Sequence, residues 1–137
     1  MRVFVCGASG KRIPQALTKL HDLFGITEVI HGASQRRSGV DLAASSWVDI
    51  NNIPYRILQA DRMANHIPAA NPDLILLATT TGNSHAGVKR WANQLTIPVC
   101  IVALDGILHT SGKGWGKLLR RFIRREVTEV RLRKVAG

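Results

Sequence analysis

The chain predicts a three-layer α/β fold around a mostly parallel five-stranded sheet, and three observations predict it. Short apolar runs alternate with longer stretches of helical periodicity through most of the 137 residues. One of the runs, Leu74, Ile75, Leu76, Leu77 and Ala78, shows no polar alternation, which fits a strand buried on both faces of a parallel sheet. Polar loops, several of them glycine-bearing, follow the runs where a strand must turn back through a helix. Alternating strands and helices imply right-handed crossovers, which gather the loops leaving the strand carboxyl ends at one edge.

Taken in order, residues 2–6 read as a strand, 7–12 as a glycine turn, and 13–24 as a helix ended by Gly25. A second strand at 28–31 leads through a polar loop, 32–39, into a helix at 40–50 carried by Leu42, Ala43, Trp47 and Ile50. Residues 53–58 predict a third strand and 61–71 an irregular or weakly helical link. The fourth strand is 73–78. Ser84 is placed to cap a helix running to Leu95, and 97–104 predict the fifth strand.

The last part of the chain differs in charge. The whole sequence carries 19 Lys and Arg against 9 Asp and Glu, a net +10, and its isoelectric point is near 10.9. Residues 113–134 hold nine of the basic residues and two of the acidic ones, so +7 of the total lies there. Leu118, Leu119, Phe122 and Ile123 share one helical face, with Arg120, Arg121, Arg124 and Arg125 mostly on the other, predicting an amphipathic helix from Lys113 to about Arg125. Residues 127–133 alternate, as an edge strand or a frayed helix end would, and the strand is favoured as a possible sixth. The division expected is a ligand-binding domain at 1–106 and a basic extension at 107–137, packed on the domain or on an oligomer partner. The basic face suits an anionic partner.

Several classes are excluded or disfavoured. No apolar run approaches the roughly 20 residues of a membrane-spanning helix, so no membrane partner is expected. Residues 1–7 are too short for a signal-peptide apolar region, which predicts a cytoplasmic protein. Cys6 and Cys100 sit in apolar runs, far apart, as core residues rather than as a disulfide or zinc site. No cofactor or metal is expected, and no carboxylate pair or nucleophile elbow marks a catalytic centre.

The ligand candidates lie in the loops. Gly7, Ala8, Ser9, Gly10, Lys11 and Arg12 offer backbone N–H groups and two cations to a phosphate, or else form a tight turn with solvated cations. They make neither a dinucleotide fingerprint nor a Walker loop. Thr79, Thr80, Thr81, Gly82, Asn83 and Ser84 precede a helix start, where hydroxyls and unsatisfied N–H groups suit an anion. His85 is a hydrogen-bond donor, a proton carrier or a surface histidine. Asp41 and Asp61 suit a ribose or base; alternatively Asp41 fixes the loop before it and Asp61 pairs with Arg62.

In order and spacing these blocks resemble the SLOG superfamily, the Rossmann-like group that includes DprA-type DNA-processing proteins and LOG-type nucleotide phosphoribohydrolases, and within it the small YspA/YAcAr-like branch. The resemblance rests on Arg2 through Gly7; on Val29, Ile30, His31, Gly32 and Ala33 followed by Gly39, Val40, Asp41, Ala44 and Trp47; on Ile53 with Pro54, and Ala60 with Asp61; and on Pro72 through Val99. It covers residues 1–103. It implies a Rossmann-like domain that binds a nucleotide-type small molecule, with Gly32, Ala33, Ser34, Gly39, Asp41, Asp61, Arg62 and residues 80–85 at the ligand edge.

Three departures shape the functional expectation. The interval from His31 to Asp41 is about three residues longer than usual and brings in Gln35, Arg36 and Arg37. Residues 81–85 keep a single glycine. The position of the LOG catalytic glutamate is Val88. The expectation is therefore capture of a nucleotide or nucleotide-derived signalling ligand, such as a cyclic oligonucleotide or an ADP-ribose derivative, without catalysis. The alternatives are DNA or RNA binding through the arginine-rich helix, and nucleotide hydrolysis. For the apolar face of that helix a homo-oligomer contact is preferred to a bare solvated surface.

Overall fold

The computed structural model describes residues 1–37, 39–59, 62–80, 85–122 and the backbone of 133–134. The fold is α/β, with a mostly parallel sheet between two helical layers. Its strands are β1 (Arg2–Gly7), β2 (Glu28–Gly32), β3 (Tyr55–Leu58), β4 (Leu74–Ala78), β5 (Val99–Val102), β6 (Leu108–Ser111) and β7 (Arg133–Lys134). The helices are α1 (Ile13–Phe24), α2 (Val40–Asn51), the short α3 (Ile67–Ala70) after a 3₁₀ turn at Met63–His66, α4 (Ala86–Leu95) and α5 (Trp115–Phe122). The order across the sheet is β3-β2-β1-β4-β5-β6-β7. The pairs through β5 are parallel, β6 runs antiparallel to β5, and β7 lies parallel to β6.

The period of two along each strand sorts the core into two faces. Val3 and Val5 of β1, Leu74 and Leu76 of β4, and Cys100 and Val102 of β5 meet α1 and α2 on one side. Phe4, Cys6, Ile75, Leu77 and Val99 meet α3 and α4 on the other. The two cysteines therefore lie on opposite faces, buried and unpaired, as their apolar surroundings predict.

Local chemistry sets the helix ends. Gly25 takes a left-handed conformation, φ 71°, at the end of α1, and its N–H donates to His21 O. Trp47 Nε1–H donates to Thr18 Oγ1 at 3.0 Å, fastening α2 to α1.

The structure corrects several boundaries. β3 starts at Tyr55 rather than Ile53, because the Ile53 N–H donates to Val48 O at the end of α2 and is lost to the ladder. β5 starts at Val99, since the Ile97 N–H is taken by Ala92 O. The sheet has seven strands among the described residues, not five or six. The extra strand, β6, is four residues set between Gly106 and Gly112, both at positive φ, and Leu108 is its buried residue. Pairing supplied from β5, rather than an apolar run of its own, makes it a strand. The chain after residue 106 thus begins as part of the same sheet.

The basic helix also turns differently from its predicted face. Leu118 is buried, with Trp115 and Phe122 packed on the α1/α2 core, while Leu119 is exposed. Leu118, expected at an oligomer contact, instead completes the chain's own core. Ile123 and most of the predicted strand 127–133 lie outside the described residues, and β7 holds that strand's final residue.

Candidate functional site

The loops after β1 and β2 meet at the carboxyl edge of the sheet, and glycines permit the approach. A Cβ on Gly7 would stand 2.1 Å from Ala78 O, at a φ of +133° that side chains rarely adopt. The next residue ties the same two strands: Ala8 N–H donates to Ala78 O at 2.8 Å. Gly10 touches the second loop, where a Cβ would lie 2.3 Å from Gly39 O. Close packing between neighbouring segments therefore accounts for both glycines, whatever the loop binds.

Asp41 organises the second loop. It sits in the first turn of α2, where a carboxylate is favoured by the helix dipole. Oδ1 accepts from Gly32 N–H at 2.9 Å and Oδ2 from Ser34 N–H at 3.1 Å. Of its two sequence-level roles, fixing the loop is the one these bonds perform. Farther along, Gly39 N–H donates to Arg36 O at 2.9 Å, turning the inserted segment back towards α2.

Between these loops is a cavity of about 210 Å³, lined by Cys6, Gly7 and Ala8 from β1, by Ser34, Arg36, Gly39, Val40 and Asp41 from the second loop and helix, and by Met63. Six of the expected ligand residues are brought together there. Cys6, Val40 and Met63 join them unforeseen: an apolar strand gives no sign of which residue ends at an edge, Val40 comes with the start of α2, and Met63 arrives through the crossover. The Cys6 thiol is pushed up to about 12, first by burial and then by the negative charge of Asp41. It is a neutral wall of the cavity and no nucleophile at pH 7.

Other candidates fall elsewhere. Arg12 is drawn away from the cavity, its Nε–H donating to Leu104 O at 2.8 Å and its guanidinium to Gln15 Oε1 at 3.3 Å. Ser9 Oγ accepts from Lys11 N–H, and the Lys11 side chain is solvent-exposed. Gly32 and Ala33 form the stem of the second loop, and Arg37 and Arg62 are exposed. Thr80 is half-buried just past β4. Asp61, Thr81, Gly82, Asn83 and Ser84 lie outside the described residues, so the proposed Ser84 cap does too. α4 begins at Ala86, with His85 at the capping position in a left-handed conformation, φ 41°. Burial and then the charge of Lys89 lower the His85 imidazole from the ordinary histidine value, favouring its neutral form.

His31 is a residue whose burial the sequence did not signal. It is 2 % exposed at the end of β2. Nδ1 lies 2.7 Å from Gly32 O, which makes it the donor, and the ring stacks on Tyr55 with centroids 6.1 Å apart. Its Nε2 is buried without a partner.

Among the described residues no group of three or more His, Cys, Asp or Glu side chains is arranged to hold a metal ion, and no helix is long and apolar enough to cross a membrane. In comparisons with known proteins, no family model matches the chain, and no curated protein is significantly similar to it.

Proposed function

We propose that the chain captures a nucleotide or nucleotide-derived signalling ligand at the carboxyl edge of the sheet without transforming it. The observation that carries this reading is the cavity at the end of β1, walled by the backbones of two β-to-α loops and bearing Arg36 on the inserted segment. In open parallel sheets ligands bind outside the strand carboxyl ends, at the point where strand order reverses. The order β3-β2-β1-β4 reverses at β1. The sequence blocks resembling SLOG domains support the same ligand class.

At about 210 Å³ the cavity is smaller than the roughly 300–1,000 Å³ of whole small-molecule sites. It suits one end of a nucleotide. Arg36 is the cation in its lining and suits a phosphate through paired N–H donors. Asp41 keeps unused acceptor capacity beyond its two backbone bonds, which suits a sugar hydroxyl. Val88 supports capture over cleavage: at the position of the LOG glutamate it is an aliphatic side chain, 6 % exposed, packed in the α3/α4 core.

Isothermal titration of the full chain against mononucleotides, cyclic oligonucleotides and ADP-ribose derivatives tests the reading. The expected result is saturable binding of at least one of them, weakened tenfold or more by Arg36→Ala. Absence of binding across the panel overturns the ligand class. Release of free base on long incubation with nucleoside monophosphates overturns the non-catalytic half.

A further inference from the structure

A separate charged surface lies at the amino end of the sheet. There α5 and the segments leading into β4 and β5 enclose a groove of about 340 Å³, and Arg2, Lys117 and Arg121 line it. Packing fixes which way α5 turns: Leu118 is buried and Trp115 and Phe122 lie on the core, so Lys117, Arg120 and Arg121 face solvent. Lys113 is exposed just before the helix. Among the described residues the one carboxylate in the groove lining is Asp73, whose Oδ2 accepts from Arg2 N–H at 2.8 Å and whose Oδ1 is 3.6 Å from Arg121 Nη1. Among the described residues this one negative charge faces the three cations of the lining, with Arg120 on α5 and Lys113 before it extending the basic strip, and α5 itself contains no acidic residue. The basic run is also held to the domain at both ends, by Leu118 in the core and by the pairing of β7 with β6.

We propose that this face binds nucleic acid through its phosphate backbone, in duplex form and without regard to base sequence. The eight residues of α5 extend about 12 Å, which spans several phosphates of a strand rising about 3.4 Å per nucleotide. A single small anion would meet only part of that strip. Both aromatic residues of α5 are half-buried against the core, Trp115 with its Nε1–H on Ser111 O and Phe122, at the groove, with the Arg121 guanidinium 4.7 Å over its ring, which disfavours stacking of unpaired bases on this helix.

The test is fluorescence anisotropy with the full chain and two labelled duplexes of unrelated sequence, about 25 base pairs each, between about 50 and 200 mM salt. Both are expected to bind within threefold of each other, with affinity falling roughly a hundredfold over that range for about four phosphate contacts. The triple variant Lys117→Ala, Arg120→Ala, Arg121→Ala should lose at least tenfold and flatten the salt dependence. A second triple with the same charge change on other surfaces, Lys19→Ala, Lys89→Ala, Arg90→Ala, should lose less than threefold, and circular dichroism checks that both variants fold. Three results overturn the proposal: no duplex binding at the lowest salt, equal losses in the two triples, or tighter α5-dependent binding to phosphatidylserine vesicles than to duplex. Because the groove lies at the opposite end of the sheet from Arg36, failure here leaves the nucleotide titration unaffected.

Discussion

Asp41 Oδ1 accepts a hydrogen bond from the Gly32 N–H at 2.9 Å, so the first turn of α2 holds the last residue of β2. The other oxygen holds Ser34 in the same way, and the wall of the cavity at the sheet edge depends on both bonds.

Removing the carboxylate should loosen that wall. Asp41→Ala strands a part-buried N–H and is expected to cost about 1–3 kcal/mol, whereas Asp41→Asn, which keeps one acceptor, should cost about 1 kcal/mol. Urea denaturation measures the loss, and amide exchange at Gly32 and Ser34 should quicken in Asp41→Ala. An Ala variant as stable as the parent, with unchanged exchange, would contradict the assigned role.

The glycines at the same edge should differ sharply from one in a helix. Gly7→Ala brings both a clash with Ala78 O and an unfavourable φ, for about 3–5 kcal/mol, and Gly10→Ala a clash with Gly39 O, for about 1–3 kcal/mol. Gly87 meets only the Ala64 side chain, at 3.4 Å. Gly87→Ala should be neutral or stabilising by up to about 1 kcal/mol. Thermal melts of the three variants rank them.

Burial pushes both thiols up to about 12, from 9.0 for a free thiol. Below pH 9 both are protonated in the folded and unfolded chains, and their contribution to stability is fully present. As pH rises from about 9 towards 12 the unfolded chain releases protons that the folded chain keeps, so stability should fall, by at most about 1.4 kcal/mol per pH unit for each thiol. Cys6→Ala and Cys100→Ala should each flatten the slope. In native protein at pH 8 neither thiol should react with a disulfide reagent at an appreciable rate; rapid labelling without denaturant would refute their burial.

Leu118 and Leu119 are adjacent in sequence and should behave oppositely. Leu118→Ala opens a cavity in the α1/α2 core and is expected to cost about 2–4 kcal/mol. Leu119→Ala, on the exposed side, should stay within about 0.5 kcal/mol. Reversal of that order in chemical denaturation would show that α5 is turned the other way.

The elements legible in the sequence are those whose signal is local. α1 is read to the residue because its apolar spacing and Gly25 lie within one stretch of chain, and β1, β2 and β4 are read to within one residue of each end. β6 escaped because four residues between two glycines carry too little pattern, and its partner supplies what its sequence lacks. The small rotation of α5 that makes Trp115 rather than Leu119 the inward residue beside Leu118 and Phe122 depends on what it packs against. Spacing within the helix cannot distinguish those two faces.

For the candidate site the division is similar. The sequence by itself determined the alternation that makes a parallel sheet, the loops at its carboxyl edge and the concentration of positive charge after residue 112. Tertiary structure decided which residues meet: Gly7 against Ala78, Asp41 beneath Gly32, Arg12 drawn 92 positions along the chain to Leu104 rather than into the cavity. It also put Cys6 and Cys100 on opposite faces and α5 at the far end of the sheet from the cavity. Local patterns encode which face of an element is apolar; partners distant in sequence are set by the crossovers that bring strands side by side.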